Sequence, residues 1–528
     1  MINLGNLFID IKNVTIENIS ILIKWILNYN TKNFIFENTP EINFYIKVSI
    51  TSYNVCALLL LIIFIVNLVI SLFFKQYNFK VIKYLNIMVC VVLLSIVLFK
   101  MYVTFKVESV FGIYLYDIQV NFFKTNDLKY LEYFSLLSSS FSDAILILSI
   151  VVGLVCLDLL GSKNLFKSIN NVSIFFLFTL FVIIMVSTNN LLIMFISFEF
   201  IFLPTVYFAY TLGYSKKIDM AAKILFYWTL FGSFLILTTL AYLYYQYATL
   251  NYVYLNQKNF SNTEILFLFC NFLIGFAIKI PVAPLHYWLL KVHVESPTAF
   301  SIYLSGFLVK SALYCLYMFL SIINVMDIYF SITIWILYSL MVSTIGLARQ
   351  VDIKKLIAWA TIQEMSFMLI FLLLKQLFLI HTCIIFVLLH GLMSSYMFYI
   401  VDILQRRFKT RSLQRLSGLN LIFPEITKYI WYLILLFSGF PLTVKFFVEW
   451  NIVVLMLENN KIILIIVLFF LNYLSVVFFC KIFFGVLYGS PTTNVKNLEL
   501  CEIQKKEKII LNSLLYFIFM LLLFVFMV

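Results

Sequence analysis

Charge is scarce in this sequence: Asp, Glu, Lys and Arg make up 12% of 528 residues, against 63% apolar residues and 58 phenylalanines. So little charge cannot cover a water-facing surface, which excludes a soluble globular domain and points to a polytopic membrane protein. Glycine is sparse too, and none of the 14 stands two positions from another or directly before a lysine. A dinucleotide-binding fingerprint and a phosphate-binding loop are both excluded by that spacing. The four histidines (286, 293, 381 and 390) form no His-Glu-x-x-His, and His293-Val-Glu295 lacks the cysteines of a zinc deaminase. No metal site is expected. The eight cysteines stand singly with no Cys-x-x-Cys pair, so they read as small core residues rather than as disulfides or ligands of a cluster.

What is present is a succession of long apolar runs, at 48–74, 81–105, 134–160, 170–188, 190–213, 220–248, 264–290, 298–322, 328–347, 354–374, 376–403, 422–456, 460–488 and 508–528. Each is about the length of a membrane-crossing helix, and none shows the ten-residue alternation of a membrane barrel. The expected fold is all-α, with about fourteen transmembrane helices. In a soluble chain the net charge of +13 would suggest nucleic acid. Here the basic residues gather in short loops leaving the odd-numbered spans, among them Lys75, Lys163, Lys216, Arg349, Arg406, Arg407, Arg411 and Lys505. That bias places those loops on one side of the membrane and both termini on the other. The segment 107–133 is the longest interior loop, expected to lie along the interface with Tyr114 and Tyr116 as anchors. The first 47 residues are mildly amphipathic and carry no signal or transit pattern, so no cleavable address is expected. The wealth of Phe, Tyr, Ile, Asn and Lys fits an AT-rich, organelle-type genome.

Six of the eight prolines fall between residues 204 and 441, and two groups interrupt spans. They are Lys279-Ile-Pro281-Val-Ala-Pro284 in the seventh span and Gly439-Phe-Pro441 in the twelfth. Paired interruptions five spans apart point to an inverted-repeat transporter with its site at the breaks.

Ionisable groups well inside the runs are few: Asp143, Asp158, Glu199, Lys279, Lys310, Glu364, His381, His390, Lys445, Glu449 and Lys481. Each costs several kcal/mol unless paired or hydrated, which makes them the default functional candidates and draws a polar line across the midplane. Glu199 reads as a proton carrier, or alternatively as an acid that pins two helices by pairing with a lysine. Lys279 precedes a helix break whose freed carbonyls can hold an ammonium or water; the alternative is a lysine snorkelling to the interface. Lys310 lies twelve residues into its span, too deep to snorkel easily. His390 can relay protons near neutral pH or serve as a hydrogen-bonded core residue. Glu449 has Lys445 four residues before it on the same helix face, so the two can pair. Asp143, Asp158 and His381 sit nearer span ends and read as structural.

These residues resemble a known family. Phe198-Glu199 with Pro204, Phe276-Ala-Ile-Lys279-Ile-Pro281-Val-Ala-Pro284-Leu-His286-Tyr-Trp288, His293-Val-Glu295-Ser-Pro297-Thr, Leu308-Val-Lys310, Arg349-Gln-Val-Asp352 and His390-Gly-Leu-Met-Ser-Ser are similar to the antiporter-like subunits of respiratory complex I. The resemblance covers roughly residues 134–490. His-Val-Glu-x-Pro after the seventh span, and an acid at Glu449 where the sister subunits 2 and 5 usually carry a lysine, single out one member type.

The resemblance implies two inverted five-helix bundles, at 161–322 and 323–490, with discontinuous seventh and twelfth helices. Before them would come an N-terminal extension (1–47) and three helices with the interfacial loop (48–160); after them, a basic loop and a last helix (491–528). It implies a proton-translocating subunit of NADH:ubiquinone oxidoreductase in the mitochondrial inner membrane, with basic loops in the matrix and termini toward the intermembrane space. No redox centre would lie in this chain; FMN, iron–sulfur clusters, NADH and ubiquinone would belong to partner subunits. Partners would be the antiporter-like subunits 2 and 5, accessory subunits and lipids, with no nucleic acid. By the family pattern Glu199 and Lys279 form the charge-switching pair, Lys310 and His390 pass the proton on, and Glu449 is the terminal site. Two features depart from the pattern: Glu364 replaces a histidine before Met365, and Lys445 stands four residues before Glu449 in a stretch where members commonly have Asn nearby, so Glu364 is carried as a further relay candidate. A subunit of a multisubunit cation/proton antiporter shares the same motifs and is the alternative. A spacer whose buried charges only lock helices together is another.

Overall fold

The computed structural model describes residues 87–100, 140–162, 169–211, 217–323, 329–373, 377–458, 462–490 and 503–527, with a few positions between 52 and 62. The N-terminal extension, most of the first span and the expected interfacial segment with Tyr114 and Tyr116 lie outside the described residues. Among the described residues there is no strand, only two isolated bridges, Asn190 with Asn251 and Asp352 with Ser412.

The helices are α1 (Ile87–Lys100), α2 (Ser140–Ser162), α3 (Ile169–Ser187), α4 (Leu191–Thr211), α5 (Ile218–Tyr247), α6 (Asn262–Lys279) and α7 (Tyr287–Glu295). They continue as α8 (Thr298–Ile322), α9 (Tyr329–Ala348), α10 (Ile353–Leu373), α11 (Leu377–Phe408), α12 (Pro424–Ser438), α13 (Val444–Glu458), α14 (Ile462–Tyr488) and α15 (Lys505–Met527). Among the described residues, six of them (α5, α6, α8, α10, α11 and α14) have stretches long and apolar enough to cross a membrane. Their burial differs sharply. The apolar stretch of α11 is wholly buried inside the protein and that of α10 is 94% buried, whereas that of α14 is only 17% buried. A helix that is apolar all round and still exposed must face lipid or another protein, so α10 and α11 form the centre and α14 a flank.

Sequence chemistry sets the ends. At α6 the Ser261 hydroxyl accepts from the Glu264 amide while the Ser261 N–H donates to Glu264 Oε2 at 2.9 Å, a capping box that satisfies two otherwise orphaned groups. Pro424 starts α12, where a missing N–H costs nothing. The apolar run ending near 403 continues as helix to Phe408 because the charges beyond it are paired: Arg406 meets Asp402 at 2.7 Å, and Arg407 meets Glu507 of α15 at 2.7 Å. Basic residues of this loop therefore also tie helices together.

Two interruptions position the site. Between α6 and α7, Pro281 removes a donor and clashes with the preceding turn. Two indoles and a hydroxyl satisfy the groups this frees: Trp288 Nε1 donates to the Ile278 carbonyl at 2.7 Å, Trp335 Nε1 donates to the Ala283 carbonyl at 2.9 Å, and the Ala283 N–H donates to Ser339 Oγ at 3.0 Å. Trp335 and Ser339 both belong to α9, so the break is docked onto that helix. Between α12 and α13, Gly439 closes α12 at φ +63°, a left-handed conformation that glycine adopts without Cβ strain. A third irregularity is a π-helical turn at Leu304–Leu308 within α8.

Close backbone approach brings α8 and α11 together beside this turn. A Cβ added at Gly391 would lie 2.8 Å from the Gly306 carbonyl oxygen and 2.6 Å from Leu148 Cδ2. Small residues let membrane helices pack at this distance. Lys310 and His390, the next candidates along each helix, are thereby held in neighbouring turns.

Candidate functional site

The first break carries an ion pair. Lys279 Nζ, at the last residue of α6, bonds Glu199 Oε1 on α4, with the lysine fully buried and the acid partly so. Three rings of α4 surround the ammonium: Phe198 at 4.4 Å, Phe202 at 5.1 Å and Phe195 at 5.9 Å from ring centre to Nζ. Phe195 and Phe202 stand four residues before and three after Glu199, so the acid and its aromatic flank share one helix face. The rings stabilise a cation without satisfying a hydrogen bond, leaving Glu199 as its single charged partner in the described structure.

From there the charges continue along α8. Cys315 of α8 lies in the field of both Lys279 and Glu199. Lys310, fully buried, donates to the carbonyl of Ser305. The π turn opens the helix at this point, and a widened turn leaves carbonyls less tightly engaged, so the ammonium finds an acceptor inside its own helix. Nothing in the sequence announced that turn.

His390 is buried on α11 with Nδ1 lacking a hydrogen-bond partner among the described residues, and the charged groups acting on it are Lys310 and Lys445. Both lysines lie within electrostatic range of it.

At the second break three groups converge. Lys445 Nζ on α13 is 2.7 Å from Glu364 Oε1 on α10, 2.8 Å from the Phe437 carbonyl at the end of α12, and 3.7 Å from Glu449 Oε1 one turn on. The Phe437 ring lies 4.6 Å from the ammonium. The nearer acid is thus Glu364 on another helix rather than the i,i+4 neighbour Glu449. Glu449 is held separately, accepting from Asn472 Nδ2 of α14 at 2.8 Å. Lys445 and Glu364 are each other's partners across two helices. Gly439 permits this geometry, since a Cβ there would stand 3.1 Å from Glu449 Oε2.

Sequence reading missed several buried charges. Lys100 of α1 and Asp143 of α2 form a pair at 2.6 Å, both essentially inaccessible. Lys100 lies inside the 81–105 run yet is not among the charges singled out from the sequence. Removing one partner of such a pair strands the other charge in apolar surroundings at about 3–5 kcal/mol. Asp143→Asn is accordingly expected to lower the amount of chain in assembled membrane complexes, and Lys100→Met in the same chain to restore it. Immunoblots of native gels read both. Near the end of α11, Asp402 accepts from Thr298 and meets Arg406, while Arg411 donates to the Val294 carbonyl at 2.5 Å and Lys354 to the Ser296 carbonyl at 2.9 Å. His293 stacks on Phe398 at 5.0 Å, with neither ring nitrogen bonded among the described residues. The side chains of Asp158 and His381 lie outside the described residues.

Residues 187–475 match the family model described as NADH:quinone oxidoreductase/Mrp antiporter, transmembrane. Among curated proteins the chain is similar to NADH-ubiquinone oxidoreductase chain 4 of Paramecium tetraurelia, 34% identical over 335 residues, covering 63% of this chain and 70% of that one. It is also similar to chain 4 of Acanthamoeba castellanii, 30% identical over 339 residues, covering 64% and 67%. Among solved structures its fold is similar to a chain of respiratory complex I from Thermus thermophilus with bound aureothin, at TM-score 0.69 and 15% identity over 89% of this chain and 97% of that one. A chain of the Mrp complex from a Dietzia species gives TM-score 0.69 at 17% identity over 83% and 80%.

Proposed function

We propose that this chain, which belongs to the NADH:quinone oxidoreductase/Mrp antiporter family of membrane subunits, works as a proton-translocating subunit of an NADH:ubiquinone oxidoreductase. It is a multi-pass membrane protein. The observation that carries the reading is the row of buried ionisable groups running from one helix break to the other: Glu199 with Lys279, then Lys310, His390, and Glu364 with Lys445 and Glu449. Buried charge is costly in a membrane and is placed where ions or protons travel.

In this reading Glu199 and Lys279 form a switch. A change in the electric field that separates them frees the lysine to give up a proton, which Lys310 and His390 pass across the protein to Glu364 and Glu449. Moving one charge through the membrane potential takes about 2.3 kcal/mol per 100 mV, within reach of breaking one or two buried ion pairs. The electrons move elsewhere: FMN, iron–sulfur clusters, NADH and ubiquinone belong to partner subunits, and the flanking antiporter-like subunits 2 and 5 are the neighbours within the membrane arm. The layout is fourteen helices with inverted bundles at 161–322 and 323–490, set in the mitochondrial inner membrane with the basic loops toward the matrix.

A native gel of gently solubilised membranes, stained for NADH dehydrogenase activity, tests the assembly. The chain is expected in the large NADH-oxidising band, identified by mass spectrometry. Its presence only in a smaller, redox-inactive complex would favour a multisubunit cation/proton antiporter.

A further inference from the structure

We propose that Lys445 is a proton-carrying switch shared between two carboxylates, Glu364 and Glu449, so that the second helix break holds a charge toggle of its own. The inference rests on the relay reading above and adds a member to it. Three observations carry it. The ammonium lies between acids from two helices at unequal distances, 2.7 Å to Glu364 on α10 and 3.7 Å to Glu449 on its own helix, so about one ångström of side-chain movement exchanges the partner. Glu449 does not depend on Lys445 alone for its place, because Asn472 Nδ2 holds it at 2.8 Å, while Glu364 sits on buried α10 with Lys445 as its ion-pair partner. The ammonium also keeps a constant anchor, the Phe437 carbonyl at 2.8 Å, which α12 releases where it ends at the break.

Charge counting separates this site from the first break. Glu199 and Lys279 cancel, one acid to one base. Two acids and one lysine leave an excess negative charge at the break itself when all are ionised, offset only through space by Lys310 of α8, and a buried charge without a direct partner favours taking up a proton. In the proposed cycle the second site stores one proton on a carboxyl group.

The cycle balances with one proton in and one out. At rest Glu449 carries the stored proton and Lys445 pairs with Glu364. When Glu449 releases its proton outward, the ammonium swings to the new carboxylate. Glu364, left without a counter-ion, accepts a proton arriving from the His390 side. Lys445 then hands a proton to Glu449 and takes one from Glu364, which restores the starting state.

The test uses the assembled complex in closed membrane vesicles, with NADH-driven proton uptake normalised to assembled complex. Lys445→Met, Lys445→Arg and the double variant Glu364→Gln with Lys445→Met are compared with Glu199→Gln. Lys445→Arg keeps the cation and its packing but cannot release a proton, so it is expected to assemble and to lose uptake by about tenfold or more. Both Met variants are expected to lose uptake as well. If the double variant pumps as the unmodified complex does while Lys445→Met fails, the pair only neutralises itself and the proposal is overturned. Normal uptake with Lys445→Arg overturns it too. Normal uptake with Glu199→Gln would overturn the relay reading instead, which keeps the two failures distinguishable.

Discussion

Replacing Lys279 with methionine is expected to stop NADH-driven proton uptake almost completely, by about a hundredfold or more, in complexes that still assemble. The size of the effect follows from the surroundings of the ammonium. It bonds Glu199, three phenylalanine rings of α4 enclose it, and no second carboxylate is within ion-pairing distance in the described structure. Methionine keeps much of the volume and the aromatic contacts while deleting the transferable proton. It leaves Glu199 without its counter-ion, but Glu199 is partly exposed rather than sealed in the core, so the fold is expected to tolerate the loss. Loss of uptake with assembly retained separates a relay from a structural lock. A lock predicts the opposite pair of results: poor assembly and normal activity per assembled complex.

The second large effect is expected at Lys310, where arginine should be as damaging as methionine, each lowering uptake by about a hundredfold. Lys310 is fully buried, and its bond to the Ser305 carbonyl in the π turn satisfies a cation of either kind. Arginine therefore preserves the charge, the field at His390 and much of the packing. A guanidinium does not release its proton in a protein, whereas a lysine amine in an apolar setting can. If Lys310 acts only through its charge, Lys310→Arg pumps normally. If it carries the proton, both variants fail alike. Proton uptake per assembled complex, measured on the two variants side by side, decides between these roles.

The sequence makes one level of this architecture legible and conceals another. Run lengths made the apolar helices legible, because crossing the hydrocarbon layer demands about 20 apolar residues whatever surrounds them. Both helix interruptions were legible from Pro281, Pro284 and Pro441, whose backbone chemistry is local. The positions of Glu199, Lys279, Lys310, His390 and Glu449 stood out because charge is rare in such runs. Partnership was not legible. Lys445 and Glu364 are 81 residues apart, and the near neighbour Glu449 looked the better match because i,i+4 spacing is visible in a sequence while the approach of α10 to α13 is not. Lys100 was overlooked for the same reason: its role depends on α2 presenting Asp143 to it. The π turn has no proline or glycine pair to announce it, since the turn is set by how α8 packs against α11 at Gly306 and Gly391.

The measurement that tests the central claim most directly is NADH-driven proton uptake by closed vesicles carrying Glu199→Gln, normalised to assembled complex on a native gel and compared with Glu449→Gln at the other end of the line. Two neutral substitutions at opposite breaks of one path are each expected to suppress uptake about as strongly as the pair together, because a broken relay cannot be broken twice. Normal uptake in both single variants, with assembly intact, would contradict proton passage through this chain.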